Sequence, residues 1–455
     1  MFEGVSKGLS ERFRFVLAGA LAAVLLAVVA AVAPPVERAE ACAFDPRRPY
    51  AYEADQQRTA YNLAFNAVSS NTLFATDPFF ALPPIERGAR NARSDGPAAI
   101  PTTLLQAISW VESDMTMAAR SVQFNSIGEG LVSFDCGHGL MQVTTGMTVP
   151  LGADGRASER QTLIATHYAY NIARGAQLLA EKWNAAPEQR PIVGTDNASN
   201  PALIENWYYA VWGYNGFTGP GSSQSNHPLD PSLGAFPRPT FRCDGTQSRN
   251  RYPYQELVWG CLANPAQRSG QYLWTPTAAS LPDMTDPATF SAMSVANWRF
   301  PYSAMDIKTP MPAHLGVAPT LPADYRSRIL GAPSLRPSSE QVTIRLNDPA
   351  ASMRATINIE NGGTGVLGWQ AKSSANFVVL SPPAGVAVGS DVSCTSGTCP
   401  RGVLTIEVNP TLLPASAAEA TITVSSPNGG ASSVTIRVSV IADFEVGAPG
   451  TSQAR

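Results

Sequence analysis

The chain has 455 residues, 44% of them hydrophobic, which is long enough for two to four domains and apolar enough to bury a core. Against 35 acidic residues there are 32 basic ones, and the net charge of −3 excludes the broad positive field of a nucleic-acid-binding protein. With only 15% charged residues, its partners are expected to be neutral or locally recognised.

In chain order, Lys7, Arg12 and Arg14 precede an uncharged apolar run over residues 15–33, followed by Pro34-Pro35 and Ala39-Glu40-Ala41. That is the pattern of a signal peptide cleaved after Ala41. The run also approaches the ~20 residues needed to cross a bilayer, so a retained N-terminal membrane anchor is the alternative over residues 1–41. Either reading makes the chain an exported one, extracellular or in the cell envelope. Its six cysteines, at 42, 136, 243, 261, 394 and 399, are then expected as disulfides. Local pairing gives Cys243 with Cys261 and Cys394 with Cys399, leaving Cys42 for Cys136. The four histidines (138, 167, 227, 314) are scattered and Cys136-x-His138 has no second pair, so neither a metal nor a cofactor is expected.

Residues 42–94 are expected as an N-terminal extension, followed over 95–274 by a helical unit. Pro101 suits a first helical position, and Leu105, Ile108 and Glu112 follow on one stripe. Tyr168, Ile172, Gly175, Leu179 and Trp183 mark a second helix. Asn200-Pro201 reads as a cap opening a third, through Trp207 and Val211 to Gly213. Ten prolines between Thr275 and Pro337 predict an extended connector, partly docked through Trp298, Phe300 and Tyr302. Runs at 342–346, 355–359, 377–380, 403–408, 420–424 and 434–440, with another around Trp369, are β-branched and often alternate. Asn361-Gly362-Gly363 and Asn428-Gly429-Gly430 supply turns, so residues 338–445 are expected to form an all-β sandwich of immunoglobulin size, before a tail at 446–455.

The chemistry-bearing residue is Glu112, near the end of an apolar helix, where desolvation favours the protonated acid. Four blocks occur in order: Ile108-Ser109-Trp110-Val111-Glu112-Ser113, Gly139-Leu140-Met141-Gln142, Asn171-Ile172-Ala173-Arg174-Gly175, and Gly213-Tyr214-Asn215-Gly216. With the trailing Tyr252-Pro253-Tyr254, this resembles the lytic transglycosylase family of the lysozyme-like fold, relatives of goose-type lysozyme, over roughly residues 95–260. The resemblance implies a mainly-α catalytic domain in which Glu112 is the sole acid/base and Ser113 fixes its environment. It implies that Met141, Gln142, Tyr214 and Asn215 bind the substrate, the glycan strands of peptidoglycan. The implied reaction cleaves the β-1,4 bond between N-acetylmuramic acid and N-acetylglucosamine, leaving 1,6-anhydro ends. Two departures stand out: Gly213 where the family has alanine, and an apparent insertion over Ser121–Cys136. The alternatives are a muramidase or chitinase in which Asp135 or Glu129 positions a water, and a non-catalytic glycan-binding envelope protein. The C-terminal part resembles the BACON-type immunoglobulin-like modules of carbohydrate-active enzymes through Asn361-Gly362 and Gly368-Trp369. It would bind carbohydrate or another envelope protein, with Trp369 either a sugar platform or a buried core residue.

Overall fold

The structure, a computed structural model, describes residues 42–44, 46–218, 225–283, 286, 306–346, 353–392, 400–414, 417–430 and 432–441. The apolar run at 15–33, the docking aromatics 298–302, Cys394, Cys399 and the tail lie outside the described residues. Among the described residues no helix is long and apolar enough to cross a membrane.

Residues 42–94 are not an appendage. Strand β1 (Tyr50–Glu53) is followed by α1 (Thr59–Ser69), where Tyr61, Ala64, Phe65 and Val68 form a buried stripe at helical spacing. A hairpin of β2 (Glu86–Ala89) and β3 (Ala92–Asp95) leads to α2 (Thr102–Ser113), with Pro101 just outside the helix rather than in it. β4 (Ser126–Glu129) lies inside the expected insertion and pairs antiparallel with β1, Tyr50 opposite Glu129. The insertion is thus tied to the segment that looked peripheral. Cys42–Cys136, with an S–S distance of 2.04 Å, adds a second tie.

α3 (Glu159–Thr166) opens on a capping box in which Ser158 and Gln161 exchange bonds with each other's backbone. α4 (Tyr168–Gln189) follows directly and packs on α1. After β5 (Ile192–Val193), the expected helix start at Asn200-Pro201 is a turn. Asn206 Nδ2 donates to the Asn200 carbonyl and Trp207 Nε1 to that of Pro201, holding a 3-10 turn over Ile204–Trp207. The α-helix α5 runs over Tyr208–Tyr214 and continues through Gly213. α6 (Tyr254–Ala263) carries Cys261, bonded to Cys243. The small hairpin of β6 (Gln267–Arg268) and β7 (Gln271–Tyr272) closes the unit.

The expected connector is docked for much of its described length. β8 (Asp306–Ile307) pairs with β5, and the buried carboxylate of Glu205 draws in the Ser280 and His314 amides and His314 Nδ1, 2.7 Å away. A buried carboxylate must be satisfied, which explains why this proline-rich stretch is held down. The short helix α7 (Tyr325–Ile329) is anchored by Arg326, which donates to the Thr72 and Leu73 carbonyls.

The C-terminal part is a β-sandwich of two sheets. Numbering continues with β9 (Leu335–Pro337), β10 (Gln341–Arg345), β11 (Arg354–Asn361), β12 (Val366–Ser373), β13 (Val378–Ser381), β14 (Ala384–Val388), β15 (Gly402–Val408), β16 (Ala417–Ser425) and β17 (Ser433–Ile441). One sheet has the order β10-β17-β16-β12-β14, the other β13-β15-β11-β9. All seven expected runs are strands; β9 and β14 were not anticipated. β14 shows no alternation because both its faces are covered. Ala387 faces the sandwich core with Leu367 and Trp369, whereas Ala384, Val386 and Val388 join the core of the helical unit. Trp369 is fully buried, with Gly385 and Gly402 against its ring, so it is no sugar platform.

Candidate active site

α2 carries Glu112 to the floor of a cleft of about 430 Å³, whose walls include Asp135, Gln142, Thr145, Tyr214 and Asn215. The Glu112 carboxyl is half-buried, open on one side to the cleft. The Tyr254 hydroxyl donates to its Oε1 at 2.6 Å. Desolvation raises its pKa from the ordinary 4.5 to about 7, outweighing the Tyr254 hydrogen bond and the positive charge of Arg249, which favour the ionised form; Asp135 adds a smaller push upward. Burial and the negative charge of Glu112 hold the Tyr254 hydroxyl well above its usual range, so it stays a donor. A carboxyl poised near neutrality can both give and take a proton.

The surrounding loop is fixed by groups that do not face the cleft. Ser113 Oγ donates to the Leu140 carbonyl at 2.8 Å, joining the end of α2 to the Gly139-Leu140-Met141-Gln142 turn. From α4, Asn171 Oδ1 accepts the Met141 amide while its Nδ2 donates to the His138 and Ile164 carbonyls. Gly139 has φ 66°, and a Cβ there would lie 2.6 Å from Met117 Sδ and 2.7 Å from Asn171 Nδ2. Only glycine fits that turn. Gly175 likewise makes room for Met141, whose Cβ sits 2.4 Å from where a methyl would be.

The four sequence blocks therefore meet in one place, with two adjustments to the expected roles. Met141 is fully buried, so its side chain cannot touch a ligand; its carbonyl instead accepts the Tyr214 hydroxyl at 2.7 Å. Ser113, also buried, positions backbone rather than contacting the cleft. Gln142 and Asn215 do line the cleft, with Gln142 Nε2 donating to the Gly139 carbonyl at 2.8 Å and Asn226 Nδ2 donating to Asn215 Oδ1 at 2.6 Å. Of the other carboxylates, Asp135 lines the cleft, whereas Glu129 sits on β4 facing Arg48 and Asp114 is paired with Arg120 and Arg249. Sequence reasoning assigned no role to Tyr254 or Arg249. Tyr254 lay within the quoted Tyr-Pro segment; Arg249, which donates to the Val111 carbonyl beside Glu112, had no motif to mark it.

Compared with known proteins, the chain matches no family model and no curated protein. Among solved structures, the E. coli chaperone DraB is 17% identical over 24% of this chain and 54% of its own, with a TM-score of 0.19. A PapD-like domain of human CEP192 is 13% identical over 29% of this chain and 94% of its own, with a TM-score of 0.18. A Bacteroides ovatus GH5 xyloglucanase is 22% identical over 24% of this chain and 19% of its own, with a TM-score of 0.16. The chain spans about half the length of DraB. At such scores none of these likenesses bears on what the cleft does.

Proposed function

We propose that this chain is a peptidoglycan lytic transglycosylase with a lysozyme-like catalytic domain, acting outside the cytoplasm. The observation that carries the reading is the half-dry Glu112, with a pKa of about 7, in a cleft also lined by Gln142 and Asn215. Protonated Glu112 donates its proton to the glycosidic oxygen as the bond to muramoyl C1 breaks, releasing the 4-hydroxyl of N-acetylglucosamine. The muramoyl C6 hydroxyl then bonds to C1, and its proton passes to the Glu112 carboxylate. The acid is regenerated and no water is consumed. Two disulfides are compatible with an oxidising compartment.

A hydrolytic reading also has an observation in its favour, because Asp135 shares the cleft and its charge reaches Glu112. As a base it would orient a water for attack at C1, the two-carboxylate arrangement of glycosidases. Mass spectrometry of digested cell-wall glycan separates them. The lyase gives anhydro ends lighter by one water, and Asp135→Asn retains them; reducing ends that vanish with Asp135→Asn would refute the lyase reading.

A further inference from the structure

The cleft does not end at Gln142 and Asn215. At Thr145, which lines both, it adjoins a larger cavity of about 740 Å³, bounded by the helical unit on one side and by Gln370 and Lys372 of β12 on the other. Along α4 the change takes one turn: Leu178 lines the cleft and Arg174, four residues earlier, lines the cavity. The charge of Arg174 is felt at the Tyr214 hydroxyl, which places the two spaces side by side electrostatically.

The cavity wall is cationic. Arg160 and Arg174 both stand over the Phe79 ring, at 4.4 and 5.5 Å from its centre. Arg160 has no ion pair among the described residues, and Arg174 Nη1 contacts Glu181 at 3.0 Å. Lys372 Nζ lies 2.8 Å from Asp154, but both side chains are about 40% exposed, so this surface pair is readily exchanged for another carboxylate. Asp154 and Glu159, the latter at the first turn of α3, are the opposing charges in the wall, against the three cations Arg160, Arg174 and Lys372. Thr162 Oγ1 donates to Gln370 Oε1 at 3.2 Å, locking β12 against α3 and fixing Lys372 relative to the arginines.

We propose that this cavity, built jointly by the helical unit and the sandwich, binds the carboxylates of a peptide stem carried by the glycan strand. The inference rests on the peptidoglycan reading above. A stem leaves the muramoyl ring whose C1 bond is broken, and a four-residue peptide extends over about 13 Å, more than the single helical turn separating Leu178 from Arg174. The sandwich then contributes selectivity through Lys372 rather than through an aromatic platform.

The test is calorimetric binding to the full chain of two probes, a disaccharide muropeptide with its peptide and the same disaccharide without it. The stem is expected to tighten binding about tenfold at low salt, and Arg160→Ala and Lys372→Ala each to lower that ratio roughly threefold to fivefold, as does raising the salt. Asp154→Asn, which frees Lys372, is expected to raise the ratio about twofold. A parent ratio of one, variants that leave the ratio unchanged, or a fall with Asp154→Asn would overturn the proposal. Cleavage of the stem-free glycan is read separately: binding selectivity without cleavage leaves this site standing and removes the lyase, and cleavage without selectivity does the reverse.

Discussion

Replacing Glu112 by glutamine keeps shape and keeps an acceptor for the Tyr254 hydroxyl, while removing the charge that the site disfavours. The rise in pKa from 4.5 to about 7 corresponds to about 3 kcal/mol, at about 1.4 kcal/mol per pH unit. Because one side of the carboxyl faces the cleft, solvent screens part of this, leaving about 1–2 kcal/mol. The sign follows from the direction of the shift. A carboxyl whose folded-state pKa lies above its unfolded value binds protons more tightly when folded, so it favours folding below pH 4.5 and loses that contribution as pH rises through 7. Glutamine does not titrate.

Glu112→Gln and the parent chain are therefore expected to have similar stability near pH 4. The variant becomes the more stable by about 1–2 kcal/mol at pH 8, where it gains roughly 1–3 °C in unfolding midpoint. Thermal unfolding of both proteins at pH 4, 6 and 8 measures this, alongside loss of glycan cleavage at every pH. A stability difference that stays flat with pH, or a variant weaker than its parent at pH 8, would refute the claim that Glu112 is held desolvated.

Tyr254→Phe removes the hydrogen bond that favours the ionised form, so the alkaline limb of the cleavage profile is expected to move up by about one pH unit, read from initial rates between pH 5 and 9. Two glycine substitutions should act in opposite directions on the unfolding midpoint. Gly175→Ala drives a methyl to 2.4 Å from the Met141 Cβ and is expected to cost about 1–3 kcal/mol, whereas at Gly213 the nearest atom is Lys182 Cβ at 3.7 Å and alanine is expected to gain roughly 0.5–1 kcal/mol of helix propensity.

What the sequence reveals depends on how locally each interaction is encoded. The helical stripe before Glu112 and the alternating runs of the sandwich are period signals, and both became the elements they promised. β14 escaped because Ala-Gly-Val-Ala-Val is covered on both faces and carries no alternation. Residues 42–94 looked detachable because their ties are long-range: Glu53 meets Arg58 at 2.6 Å but also accepts the Met117 and Ala118 amides, more than sixty positions away. The roles of Met141 and Ser113 shifted for a similar reason. Motif order marks which residues gather at the cleft but not whether each turns its side chain inward, since that depends on which carbonyls need donors.

Those inward-turned groups account for how an unfavourable carboxyl persists. Immediately past Glu112, Asp114 and Met115 have φ of 57° and 54°, and across the cleft Cys136 and Gln142 have 67° and 45°. Each non-glycine residue in that left-handed region costs on the order of 1 kcal/mol, so the cleft concentrates strain as well as a desolvated acid. Such a site holds its shape only if its surroundings leave it no alternative. Here Ser113 and Asn171 bind the opposite loop, Glu53 accepts the amides that follow Met115, and Cys42 tethers Cys136. Three of those four supports come from outside the Glu112 block, two from the segment 42–94. The geometry of the cleft is therefore a property of the folded unit that includes residues 42–94 rather than of the Glu112 block alone, and disrupting Glu53 should loosen the cleft without touching it.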